Sequence, residues 1–383
     1  MTDPLFVELE TVAEKAGIPA ALDRLIEILR ERKDYQQLFE ARLIRKRYDM
    51  GLPLTQTRTG DQLETNQRRE FEDYYIDTCR LVGRLYLEEG DIPRAWPYLR
   101  LIGDTQAVAE AIDKLPTEAA AEQVIGIAFH EGANPRKGFE MILANYGTCS
   151  AITAFDQLAA QNPKDREHCL RMLARQLFRE LTENLRAAIA KREGQPPAAG
   201  TIAELLAGRD WLFDDEGYYV DTSHLTAVIR FSLHAQDPEV LGLALEMTDY
   251  GRRLSSRLQY SGDPPFDEFH VDAAVYLRAM LGQEVESAIA HLRGKIAASA
   301  DKAAPAAAAL VNLLVSHQRY DPAIEIAQQY LSDLSQDGVA CPSILELCQL
   351  AGDYRRMAEL ARRQGNLLGF AAALAQSPPS AGR

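Results

Sequence analysis

The chain has 383 residues, 46% hydrophobic and 26% charged, with a formal net charge of −14 and a pI near 5.1. The length allows two or three domains or one elongated array, and the composition is that of a folded protein rather than a disordered one. So acidic a chain repels phosphate backbones, which argues against general nucleic-acid binding, and the basic cluster ARLIRKR (41–47) reads as a solvated helix face.

Five cysteines (Cys79, Cys149, Cys169, Cys341, Cys348) are scattered, with no CxxC pair or Cys/His ladder. Neither a disulfide framework nor a zinc knuckle is indicated. The first residues carry early acids and no continuous apolar core, so a signal peptide is not expected. The most apolar run, 303–315, contains Pro305 and Asn312 and is too short to span a bilayer. A soluble protein of the reducing cytoplasm is the expectation, with no membrane partner.

In chain order, residues 5–48 read as two helices, with apolar positions at Leu25, Ile26, Leu29 and then Leu38, Phe39, Leu43 on either side of Lys33-Asp34. A polar Gly/Thr/Gln-rich stretch covers 51–69. The segment VGRLYLEEGDIPRAWPYLRLI (82–102) then reads as a helix end, a Gly-Asp turn and a second helix lying back on the first; Pro97 is expected to kink that second helix. Shorter helices follow, bounded by Pro116 and interrupted at 131–138 and at Gly147. A long helix begins after Asn162-Pro163, and GQPPAAGT (194–201) is a linker candidate. WLFDDEGYYVD (211–221) predicts a small β-hairpin, because aromatic and β-branched residues flank an Asp-Glu-Gly turn. Helices resume at His224 and after Asp237-Pro238, YSGDPPFD (260–267) predicts a rigid loop, and 376–383 a disordered tail. The expected divisions are 1–102, 103–193 and 201–383, forming one continuous solenoid.

Four segments share one pattern of spacing. Gly83, Tyr86, Gly90 and Ala95 align with Val311, Leu314, Gln318 and Ala323, with Leu345, Cys348, Gly352 and Met357, and with Ile26, Leu29, Lys33 and Leu38. The turn aromatics Tyr320 and Tyr354 lie 34 residues apart. This pattern resembles the tetratricopeptide repeat, whose unit is a helix-turn-helix of about 34 residues. The resemblance covers about a third of the chain and fails over 103–265. It implies an all-α fold, an irregular right-handed solenoid of helical hairpins, in which Tyr35, Tyr86 and Tyr354 fill gaps between hairpins. It also implies a scaffold or adaptor whose concave face binds a protein or an extended peptide, with Tyr74, Tyr75 and Arg80 on the first helix of the best repeat as binding candidates.

No phosphate-binding loop, nucleophile elbow, HExxH or dinucleotide fingerprint occurs. The alternative function is an enzyme or ligand-binding protein whose site lies in the non-repeat middle, 130–272. Within 129–157, Cys149 is placed in a first helical turn, where the helix dipole favours a thiolate, with His130 as its base; Arg136 and Lys137 are the cationic binding candidates. Asp221, His224, His270 and Asp272 have the ligand types of a transition-metal site, although Asp221 also suits a helix cap. No other cofactor is indicated.

Overall fold

The computed structural model describes residues 4–54, 65–158, 162–198, 200–298, 300–331 and 341–376. It is all-α, with no strand among the described residues. The chain divides into two compact units, Met1–Ser150 and Ala151–Arg383. Of the tail expected to be disordered, 376–383, Gln376 is helical and the rest lies outside the described residues.

The N-terminal unit begins with α1 (Pro4–Ala16), α2 (Ile18–Glu31) and α3 (Tyr35–Asp49), followed by α4 (Thr65–Glu88), α5 (Ile92–Leu101) and α6 (Gln106–Asp113). Each packs on its neighbour in sequence. The α4–α5 hairpin closes because Gly83 has no side chain: a Cβ there would come within 2.5 Å of Leu99, which is fully buried. Ala95, aligned with it across the turn, is also fully buried. The Tyr86 ring meets Tyr35 edge-on at 5.1 Å, filling the space between the α2–α3 and α4–α5 hairpins. Helix α5 runs on through Pro97, which sits on its exposed side, where water can reach the carbonyl that loses its N–H partner.

The four aligned turn positions share one backbone conformation. Lys33, Gly90, Gln318 and Gly352 have φ of 58°, 77°, 58° and 68°. In each turn the next residue's N–H donates five residues back, to the carbonyls of Leu29, Tyr86, Leu314 and Cys348, the second aligned position of each segment. This is the Schellman closure of a helix C-terminus. Three of the four following residues, Asp34, Asp91 and Asp353, then cap the next helix by accepting from the N–H three residues on. The same closure recurs at Gly51, Gly103, Gly282 and Gly365.

After the short α7 (Glu122–Ile125) the helix widens into a π turn, Gly126–His130, and α8 (Pro135–Gln157) follows, broken at Gly147 by φ 75° and ψ −175°. A Cβ on Gly138 would lie 2.7 Å from the Phe129 nitrogen, so the first turn of α8 touches the π turn backbone to backbone.

The C-terminal unit is built on α9 (Pro163–Glu193), which packs against α10 (Ile202–Leu206), α11 (Thr222–Ser232) and α12 (Pro238–Gly251). Leu173, Leu177 and Leu181 of α9 are fully buried. Then come α13 (Phe269–Met280), α14 (Val285–Ala298), α15 (Ala300–Ser316), α16 (Tyr320–Tyr330), α17 (Ile344–Leu350), α18 (Tyr354–Arg363) and α19 (Leu367–Gln376). Successive helices pack pairwise, and α13 also touches α15.

The β-hairpin expected at 211–221 does not form. Asp210–Glu216 is a 3₁₀ turn, and its aromatic side chains are claimed by helices: Trp211 lies under Arg192 at 4.5 Å, and Phe213 lies against Tyr250 at 5.7 Å and under Arg253 at 4.8 Å. An isolated two-stranded hairpin gains little in water, whereas docking onto α9 and α12 buries Leu212 and Val220. The Tyr219 N–H then donates to the Tyr250 hydroxyl at 2.8 Å.

Candidate functional site

The residues singled out from sequence are mostly engaged in holding the helices together. Arg42 and Lys46 lie over the Tyr74 ring at 5.2 and 5.5 Å, and Tyr75 packs edge-on against Phe39 at 5.4 Å. Arg80 pairs with Asp77 at 2.8 Å and reaches Asp104 at 3.8 Å. Lys137 donates to Thr117 Oγ1 at 2.6 Å and to Glu140 at 3.0 Å, tying the start of α8 to the preceding loop, while Arg136 is exposed beside it. His130 is exposed at the end of the π turn with its ring edge-on to that of Phe129, and Cys149 is exposed two residues beyond the break in α8.

Three of the four metal-ligand candidates, Asp221, His270 and Asp272, take separate structural roles, and His224 follows Asp221 in the first turn of α11. The Asp221 carboxylate caps α11, accepting from Ser223 N–H, the Ser223 hydroxyl and His224 N–H, and the Ser223 hydroxyl above all holds its pKa below the ordinary carboxylate value. His270 is buried against Gly251, leaving no room for a Cβ there, and burial brings its pKa down to about 4, with the Arg252 charge adding. Asp272, 4% exposed, accepts from Glu268 N–H at 2.9 Å, His291 Nε2 at 2.8 Å and Lys295 Nζ at 2.8 Å, joining α13 to α14. Among the described residues no group of three or more His, Cys, Asp or Glu side chains is placed to hold a metal ion.

A cleft of about 530 Å³ opens instead within the C-terminal unit. One wall is the turn between α11 and α12, carrying Leu233, His234 and Gln236. Glu167 of α9 fixes this turn, its Oε1 accepting from the N–H groups of Gln236 at 3.0 Å and Asp237 at 2.6 Å. Arg171 pairs with Asp237, which also caps α12.

The opposite wall is the end of α15, with Asn312, Val315 and Ser316, and the left-handed turn at Gln318 that leads to Tyr320. His317 Nε2 anchors that wall by donating to the Ala279 carbonyl at 2.7 Å, which requires the proton on that nitrogen. Tyr276 and Met280 of α13 form the floor, and Pro342 closes one side. Burial raises the Tyr276 pKa, so its hydroxyl stays neutral.

The described lining is mixed in polarity and uncharged. Amide, imidazole, hydroxyl, aromatic and thioether groups line the cleft, and none of the described lining residues is Asp, Glu, Lys or Arg. His234 has an open edge on the cleft yet protein on its other sides, and that burial, with the Arg166 charge, lowers its pKa. Such a surface offers paired donors and acceptors without charge, suited to amides and hydroxyls.

Sequence reasoning met Asn312, Gln318 and Tyr320 only as features of the helical pattern and singled out none of the lining residues as a site. One signal was legible: Asn312 and Ser316, four apart on one helix face, interrupt and end the apolar run 303–315. The other wall comes from a loop some 80 residues earlier, which no local pattern connects to it.

No described helix is long and apolar enough to cross a membrane. Comparison with protein families, with curated proteins and with solved structures finds no match for this chain.

Proposed function

We propose that the helical hairpins stack as an irregular right-handed solenoid of the tetratricopeptide type, and that the chain is a non-catalytic scaffold of the cytoplasm that binds a protein through an extended segment. The cleft between the α11–α12 turn and the end of α15 carries the reading, because it is roomy, uncharged along its described lining and set on helix ends held by hydrogen bonds. Asn and Gln each present a donor and an acceptor, the complement of a peptide bond, while Tyr276 and Met280 give the segment's side chains an apolar floor. An uncharged lining favours an internal stretch over a terminal carboxylate, which calls for Arg or Lys.

The test is selection of peptides from a random display library on the full chain, followed by calorimetric titration. Selected peptides are expected to bind with micromolar affinity, as is usual for small interfaces, and each of Gln236→Ala and Asn312→Ala is expected to weaken binding about fivefold, the worth of one hydrogen bond. Failure to select any peptide, or equal binding by both variants with unchanged melting curves, would overturn the proposal.

A further inference from the structure

The two helices at the extremes of the described chain leave apolar side chains uncovered. On α1, Phe6 is 62% and Val7 54% exposed, and the helix has no buried residue. On α19, Leu367 is 80%, Leu368 85% and Leu374 57% exposed, and only Ala373 is buried. Bulky side chains this open, grouped on one helix, are a mark of a contact surface.

The charges flanking the two patches are opposite. Helix α1 has three glutamates against one lysine, and Glu10 and Glu14 are exposed on the side that carries Phe6 and Val7, four and eight residues beyond Phe6. Helix α18, which packs on α19, has four arginines against one glutamate, in a chain whose net charge is −14. Arg362 and Arg363, exposed, end α18 just before Leu367, and α19 itself has no charged residue.

We infer that the α18–α19 end of one copy docks on α1 of a second copy, Leu367, Leu368 and Leu374 meeting Phe6 and Val7 while Arg362 and Arg363 face Glu10 and Glu14. The pattern selects this pairing over its symmetric rivals. Two α19 patches face to face bring four arginines together, and two α1 patches bring four glutamates together; like charges so placed repel. Two different surfaces on every copy allow either a reciprocal pair, in which each copy gives both surfaces, or a head-to-tail ring or filament.

Sedimentation velocity of the full chain over a concentration series, at low and high salt, tests this. Mass is expected to rise with concentration to that of a dimer or beyond, and less so at high salt. The double variants E10K/E14K and R362E/R363E are each expected to weaken association about tenfold or more, while an equal mixture of the two recovers it, since each then finds an opposite charge on the other. Leu367→Glu with Leu368→Glu is expected to leave a monomer with an unchanged circular-dichroism spectrum, both side chains being open to water. A chain that stays monomeric at all concentrations overturns the inference. So does association insensitive to E10K/E14K, the signature of α19 pairing with itself, or a mixture that recovers nothing.

Discussion

At the scale of single residues, two positions show how little slack the packing has. Gly83 faces Leu99, and any Cβ there meets the leucine at 2.5 Å in a fully buried setting. Gly83→Val is expected to destabilise the protein by about 2–3 kcal/mol, the cost of overpacking, read as a lowered denaturant midpoint with unchanged slope. The second position is His270, held neutral in the fold with its pKa brought down from 6.5 to about 4. The unfolded chain takes up a proton below about pH 6.5 that the fold refuses. Stability from this residue is therefore complete above that pH, declines as pH falls towards 4 by about 3 kcal/mol in all, and changes no further below. His234, shifted in the same direction, adds to the decline. Melting curves between pH 7 and 4 should show this slope, and His270→Gln should flatten it without abolishing it. The behaviour of His270 was not legible in sequence: it carries the right atoms for a metal ligand, and only the neighbouring Gly251 and the depth of burial make it a packed, uncharged ring.

At the scale of elements, turns were the most legible feature and the aromatic segment 211–221 the least. The aligned positions 33, 90, 318 and 352 all adopt the left-handed conformation, although two of them are Lys and Gln. Spacing found them because the hydrophobic period on either side leaves only one place for the reversal. The side chain at these positions matters less than the backbone angle, and that angle is strained for anything but glycine. Lys33→Gly is expected to stabilise the protein by about 1 kcal/mol, measured by thermal unfolding, because the exposed pair it gives up with Glu89 at 2.7 Å contributes little. Residues 211–221 misled because aromatic and β-branched composition marks any surface about to be buried. Whether that burial is met by a partner strand or by α9 and α12 depends on what lies nearby in space, and a local window does not contain that.

For the molecule as a whole, hydrophobic period and composition were enough for the all-α class, since nearly every long segment repeats with the helical spacing. The cleft and the uncovered ends were hidden, the first because its walls come from segments far apart in sequence, the second because periodicity cannot say which apolar faces find a neighbour. The recurrent main-chain closure of the helix ends has a consequence for how such a chain reaches its fold. Each reversal is encoded within six residues by amide and carbonyl groups alone, so a hairpin needs no instruction from distant parts to turn back on itself. Contacts between neighbouring hairpins then stay close in sequence, the loop entropy lost at each step is small, and acquisition of structure is expected to be rapid for a chain of this length, with hairpins forming first and their stacking following.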